Sequence, residues 1–358
     1  MAFDPNREDY QRLGLRFARS LDGEGPIAAA RAFSGFGRRF TQERDGLPQT
    51  DADRAFHLVA LATELIDYRL PFANEDTGDK IIGRAHALLD EALQLDPGCP
   101  DARRMKRAAD IPSFEGYYDY LRQGADEVRA QCEGQLLKEG PRSSVERGGL
   151  LSELALRPYL RWLAALASKA IVCGHNREAL RAGERLLELD GEDSADVRFT
   201  MAIAHAKLED EQGLEELARR CSQMDCVRQR GGEDAWLLLS RCALAHKRRD
   251  MDEARRIVRR LCESYPHAAL TLLAQRELPD GVFARLAMPP FSEDELILAV
   301  SECTVLLQEG RDVSGHGAFG AWVRKEASLL VPEEDRAESL EILAQGPGGD
   351  ADEQGGRH

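Results

Sequence analysis

Residues 158–191 read PYLRWLAALASKAIVCGHNREALRAGERLLELDG. Small and apolar side chains fall at Leu163, Leu166, Ala167 and Ala170, and after Gly174 at Ala179, Gly183, Leu186 and Leu187. Spacings of three and four follow the α-helical period, so the stretch predicts two amphipathic helices joined at Gly174 and stopped at Asp190–Gly191. The second helix has two echoes: Ala85–Pro97 (AHALLDEALQLDP) and Glu253–Pro266 (EARRIVRRLCESYP). Each echo has an alanine at or next to its start, leucine in its second half and a proline at its end.

Working outward, β-branched runs are scarce and the helical period dominates, so the expected fold class is all-α. The 358 residues are 43% hydrophobic but only 6% aromatic, which leaves alanine and leucine to build the core. A net charge of -15 disfavours nucleic acid and anionic membrane as partners, because both require a cationic footprint. The opening Met1–Asp9 lacks the basic-then-apolar order of a signal peptide, and no run of about 18 apolar residues occurs. The eight cysteines sit mostly beside Ala, Leu or Val and read as reduced, buried side chains. The expected setting is cytoplasmic.

Punctuation by Gly, Pro and Ser divides the chain. Residues 1–140 read as an N-terminal helical lobe whose helix 79–97 carries the first echo. Gly140–Ser144 and Gly148–Gly149 form the expected boundary. Residues 150–278 hold the hairpins. Residues 292–345 read as capping helices, opened by Ser292 as N-cap with Glu295 three residues on. Residues 346–358 have almost nothing to bury and are expected to be disordered.

Residues 158–268 resemble the tetratricopeptide repeat, whose pattern runs W-x2-L-G-x2-Y, then A-x3-F, then P. Beyond residues 158–191, Val197–Leu208 pairs with Gln212–Cys221, and Gly213 lies one 34-residue repeat after Ala179. A further copy admits two registers. One uses Trp236, Leu239, Ser240 and Ala243 and carries an insertion at Lys247–Asp250. The other turns Leu238, Cys242 and Ala245 inward without an insertion. The resemblance implies a right-handed superhelix of helical hairpins, with a concave face that binds a peptide or a helix of another protein. Members that grip a C-terminal carboxylate use Lys and Asn on the first helices. Here those positions hold Ala164 and Ser168, then Leu237 and Arg241 or Leu239 and Ala243, so that clamp is missing. The expected groove residues are Arg161, Ala164, Ser168, Arg198, Ala202, Trp236 and His246.

Other candidates have plainer readings beside them. Gly315–Gly320 (GHGAFG) fits G-x-G-x-x-G but follows a helix, whereas a phosphate loop needs a preceding strand. Cys242 with His246 and Cys173 with His175 fall short of the three or four ligands that zinc requires. Tyr117–Tyr118–Asp119–Tyr120 is able to line a groove, or else packs its helix into the core through Tyr117 and Tyr120 or Tyr118 and Leu121. Arg255, Arg256, Arg259 and Arg260 form a basic patch able to dock an acidic peptide or a phosphate-rich ligand, or else a solvated face or one paired with acidic helices of the adjacent hairpin. The expectation is a non-catalytic interaction module or scaffold with a protein or peptide partner, no cofactor and no metal. The alternative is a regulatory sensor holding a small ligand in the N-terminal lobe or near the 315–320 loop.

Overall fold

The computed structural model describes residues 4–70, 73–139, 149–278, 288–310 and 317–345. Every regular element among them is a helix. The chain divides into two compact units, the division falling at Lys169/Ala170.

In the N-terminal unit, α1 (Pro5–Ser20) starts where Asp4 accepts the amide of Arg7 at 3.0 Å, with Pro5 supplying a preset φ. The helices α2 (Pro26–Ser34) and α3 (Phe36–Gln42) follow, and a small aromatic core of Leu13, Phe17, Phe36 and Leu47 forms beneath them. Thr50 and Asp53 build a reciprocal capping box on α4 (Asp51–Thr63), which runs on as a π-helical turn through Glu64–Arg69. The next helix, α5 (Glu75–Leu95), starts four residues before the expected Asp79. Together α4 and α5 form a hairpin whose seam is Ala55, Val59 and Ala62 against Ala85, Leu88, Leu89 and Ala92. The first echo therefore has a partner helix, and alanine on both sides permits the close approach. Beyond it lie α6 (Pro100–Asp110), α7 (Phe114–Glu139) and α8 (Leu150–Val172), most of which belongs to this unit. Tyr117 and Tyr118 are buried, as a packing role requires.

In the C-terminal unit the helices are α9 (Asn176–Leu189), α10 (Val197–Lys207), α11 (Glu211–Cys221), α12 (Asp225–Arg230), α13 (Ala235–Lys247), α14 (Met251–Ser264) and α15 (Ala268–Ala274). Three turns in this stretch share one geometry. The amides of His175, Asp210 and Asp250 donate to the carbonyls of Ala170, His205 and Ala245 at 2.7, 2.9 and 2.9 Å. The residue before each donor is left-handed: Gly174 at φ +79°, Glu209 at +57° and Arg249 at +62°. This is the Schellman closure, which satisfies orphan carbonyls at a helix end. At the second and third turns the next residue also caps the following helix, as Asp210 accepts Gly213 N at 2.9 Å and Asp250 accepts Glu253 N at 3.1 Å.

The shared turn fixes the register left open by the sequence. Counting back from the carbonyl acceptors, Leu238, Cys242 and Ala245 stand where Leu163, Ala167 and Ala170 stand, and no residue is inserted at Lys247–Asp250. Leu238, Cys242 and Ala245 are buried. Counting forward, Leu214 rather than Gly213 is the equivalent of Ala179.

The remaining helices are α16 (Glu293–Glu302), α17 (Thr304–Leu307), α18 (Ala318–Ser328) and α19 (Arg336–Gln345). Ser292 caps α16 by accepting Glu295 N at 3.2 Å, and Glu295 answers by accepting Phe291 N at 2.6 Å. These helices cover α10 and α13: α16 and α18 pack on α13, α17 packs on α10, and Leu296, Ala299, Leu307 and Val323 are fully buried. Gly317 and Gly320 have packing roles here. The Gly317 amide donates to Leu307 O at 3.0 Å, and the Gly320 carbonyl accepts from Gln275 Nε2 at 2.9 Å. Gly315 and His316 lie outside the described residues.

A Cβ at position 320 would sit 2.3 Å from the Leu307 carbonyl oxygen, which is backbone and cannot swing aside. Gly320→Ala is expected to lower stability by about 1–3 kcal/mol in chemical denaturation. An unchanged midpoint would show that α18 shifts without cost.

Candidate functional site: an ionic groove over helix α13

The residues expected to line a groove occupy varied surroundings. Arg161 is fully buried in the N-terminal unit. Its Nε donates to Asp101 Oδ1 at 2.7 Å and its Nη1 to Glu8 Oε2 at 2.7 Å, and Nη2 also bonds Asp101. Arg12 pairs with Glu8 at 2.7 Å, and its guanidinium lies 4.3 Å from the Phe56 ring centre. Arg161 is thus a structural hub and has no groove-lining exposure. Ala164 and Ser168 are half-buried.

In the C-terminal unit, Arg198 turns into its own loop, pairing with Asp193 at 2.9 Å and Asp196 at 2.6 Å. Ala202 is buried. Trp236 stacks on Phe199 with centroids 3.9 Å apart and donates its indole N–H to Glu302 at 2.6 Å. His246 stands between Phe319 and Trp322 at 5.4 and 5.2 Å, and burial, with Arg249 nearby, lowers its pKa. Ala202, Trp236 and His246 line no open groove because α16–α18 pack over α10 and α13, and Arg198 is taken up by Asp193 and Asp196 of its own loop. The sequence does not announce this covering, since α16 and α18 read as ordinary amphipathic helices whatever they lie against.

The basic patch is largely neutralised. Arg255 bonds Glu326 at 3.3 Å and pairs with Asp252 at 3.5 Å, Arg256 pairs with Glu253, and Arg260 pairs with Glu233. Arg259 is exposed without an ion pair among the described residues.

An open groove does occur over α13, with α11 on one side and α14 on the other. It encloses about 350 Å³. Its floor is Leu238, Leu244 and Ile257, and its rim carries Glu211, Glu215, Arg241, Arg248, Glu253 and Arg260. Local sequence places these residues. Glu211 and Glu215 are one helical turn apart on α11, and Leu238, Arg241, Leu244 and Arg248 follow one face of α13. Arg241 grips Glu215 at 2.6 Å and also pairs with Glu233, while Arg248 pairs with Glu211. Burial penalises the Arg241 charge, yet Glu215 and Glu233 hold its pKa above the ordinary guanidinium value. The rim is therefore charged throughout, of both signs, above an apolar floor. Sequence reading named Arg260 as part of a patch but missed the groove, because it is made by three helices whose registers only the turns determine.

No group of three or more His, Cys, Asp or Glu placed to hold a metal ion occurs among the described residues. All eight cysteines carry free thiols, and burial raises the Cys221 thiol to about 12. No helix among the described residues is long and apolar enough to cross a membrane. Comparison with protein-family models, with curated proteins and with solved structures gives no match.

The buried hub makes two predictions. Burial alone would raise the pKa of Glu8 and Asp101, but the field of Arg161, aided by Arg12, lowers both below the ordinary carboxylate range. A lowered folded-state pKa stabilises the fold above the unfolded pKa and loses that stabilisation as pH falls through the carboxylate range. Acid titration of the fold is expected to show this loss. Arg161→Met removes the shared partner of both buried carboxylates, leaving Glu8 to Arg12 and Asp101 to Arg104 at 3.7 Å, and is expected to cost about 3–5 kcal/mol at neutral pH. Without this arginine the folded-state pKa of both carboxylates rises towards the unfolded value, so the variant is expected to lose less stability on acidification than the wild type. Melting curves against pH for both proteins check this, and parallel curves would contradict it.

Proposed function

We propose that this protein is a non-catalytic interaction module of the tetratricopeptide-like kind, and that its partner is a short peptide or helix seated in the groove over α13. The observation that carries the reading is the combination of an apolar floor with a two-signed rim on the hairpin array. A peptide with one apolar anchor between an acidic and a basic side chain matches that surface. The anchor only closes the groove above Leu238, Leu244 and Ile257, which are already almost wholly buried, while the acidic group meets Arg248 or Arg260 and the basic group meets Glu211 or Glu215. The ion pairs across the rim keep the arginines extended before the partner arrives, which lowers the ordering cost of binding. The repeated Schellman turn supports a repeat architecture, since one closure used three times gives successive hairpins the same internal geometry.

This reading moves binding from the first-helix face of the repeat to the groove beside it. The α10 and α13 residues that would line the usual face are covered by α16–α18. The alternative of a sensor at the glycine loop has less support, because Gly317 and Gly320 are accounted for by their approach to the end of α17.

A photo-crosslinking residue introduced at Arg248 in the full chain tests the proposal, with the exposed Arg181 on α9 as the control position. One protein species is expected at Arg248 and not at Arg181. Arg248→Glu with Arg260→Glu is expected to weaken capture of that species about tenfold. Equal labelling at both positions, or capture indifferent to the charge reversal, would sink the reading.

A further inference from the structure

Two helices of this chain leave apolar side chains exposed, although Phe33 of the first stacks in part on Phe36 at 5.5 Å, and their charges are opposite. In the N-terminal unit, α2 (PIAAARAFS) buries none of its residues. Ile27 is 80% exposed and Phe33 42%, and the two are separated by small alanines. Residues 25–42 hold Arg31, Arg38 and Arg39 and no carboxylate, in a chain whose net charge is -15. Neither Arg31 nor Arg38 makes an ion pair among the described residues.

In the C-terminal unit, α19 packs on α15 and leaves Leu340 63% and Leu343 44% exposed, flanked by the exposed Ala337 and Ala344. Positions 337, 340 and 344 form one stripe at helical spacing. Residues 333–345 carry five carboxylates against Arg336 alone, and Arg336 pairs with Glu333 at 2.8 Å. Glu334 and Glu341 have no ion pair among the described residues. Residues 346–358 (GPGGDADEQGGRH) offer no large apolar side chain that could cover this stripe.

We infer that the occupant of the α19 stripe is the α2 edge of a second copy of this chain, taken with the start of α3 that carries Arg38. Ile27 and Phe33 pack on Leu340 and Leu343, the alanines on both helices admit close approach, and Arg31 and Arg38 meet Glu338 and Glu341. Like-on-like pairing is disfavoured, because two α19 edges would juxtapose their glutamates and two α2 edges their arginines. The contact is therefore heterologous: each copy donates one α2 and offers one α19. Such contacts propagate into chains or close into rings rather than stopping at a symmetric pair.

Sedimentation velocity on the full chain over a range of concentrations tests this. The wild-type weight-average mass is expected to rise with concentration and to fall again in high salt, which screens exposed charges. Arg31→Glu with Arg38→Glu, and separately Glu338→Arg with Glu341→Arg, are expected to weaken association about tenfold each. An equimolar mixture of the two variants is expected to recover part of the association, because the reversed α2 edge of the first now matches the reversed α19 edge of the second. All four positions are exposed, and circular dichroism verifies that the variants remain folded. A wild-type chain that stays monomeric overturns the inference. So does a mixture no better associated than its components, or a variant carrying all four reversals that is rescued without concentration dependence, which would place the contact within one chain.

Discussion

Three turns, each closing a six-residue loop from the carbonyl of Ala170, His205 or Ala245 to the amide of His175, Asp210 or Asp250, set the hairpins of the C-terminal unit. A helix end leaves carbonyls without partners, and a helix start leaves amides without partners. The Schellman closure satisfies the first set. Asp210 and Asp250 satisfy part of the second set in the very next residue. The chain thus reverses within a few residues and leaves few backbone groups unpaired. The cost is one left-handed residue per turn, which glycine meets freely at 174 and which Glu209 and Arg249 meet against their preference. The position of α13, and with it the floor of the groove, follows from this closure.

The N-terminal unit is organised by a different constraint. Arg161, Glu8 and Asp101 lie on α8, α1 and α6, and all three are buried. A buried pair of charges gains little over well-packed apolar residues, yet removing one member strands the others. The triad therefore adds little net stability, but it penalises any arrangement of the three helices that separates its members. The Phe56 ring, 5.4 Å from the Arg161 guanidinium, excludes water from one side of it.

Several features were legible in the chain itself. The all-helical class followed from the spacing of leucine and alanine, and the Ser292–Glu295 cap and the packing of Tyr117 were read correctly from local pattern. The two helices at residues 158–191 and the turn at Gly174 were visible because all three lie within one short window. Both helices of the α4–α5 pair were legible as amphipathic segments, but the start of α5 at Glu75 was not, because its cap lies in the polar stretch before Asp79. The Arg161 triad was out of reach, since Glu8 lies 153 residues from Arg161 and Asp101 lies 60 away. No periodicity links positions so far apart.

The sequence alone determined helix identity, most helix ends and the presence of repeated hairpins, because backbone capping and amphipathic spacing act over a few residues. Tertiary structure decided which face of those hairpins stays open. Helices α16–α18 cover α10 and α13, removing Trp236 and Ala202 from solvent and leaving the groove over α13. An amphipathic helix specifies that one of its faces must be buried, but the surface that buries it is chosen only when the whole chain packs.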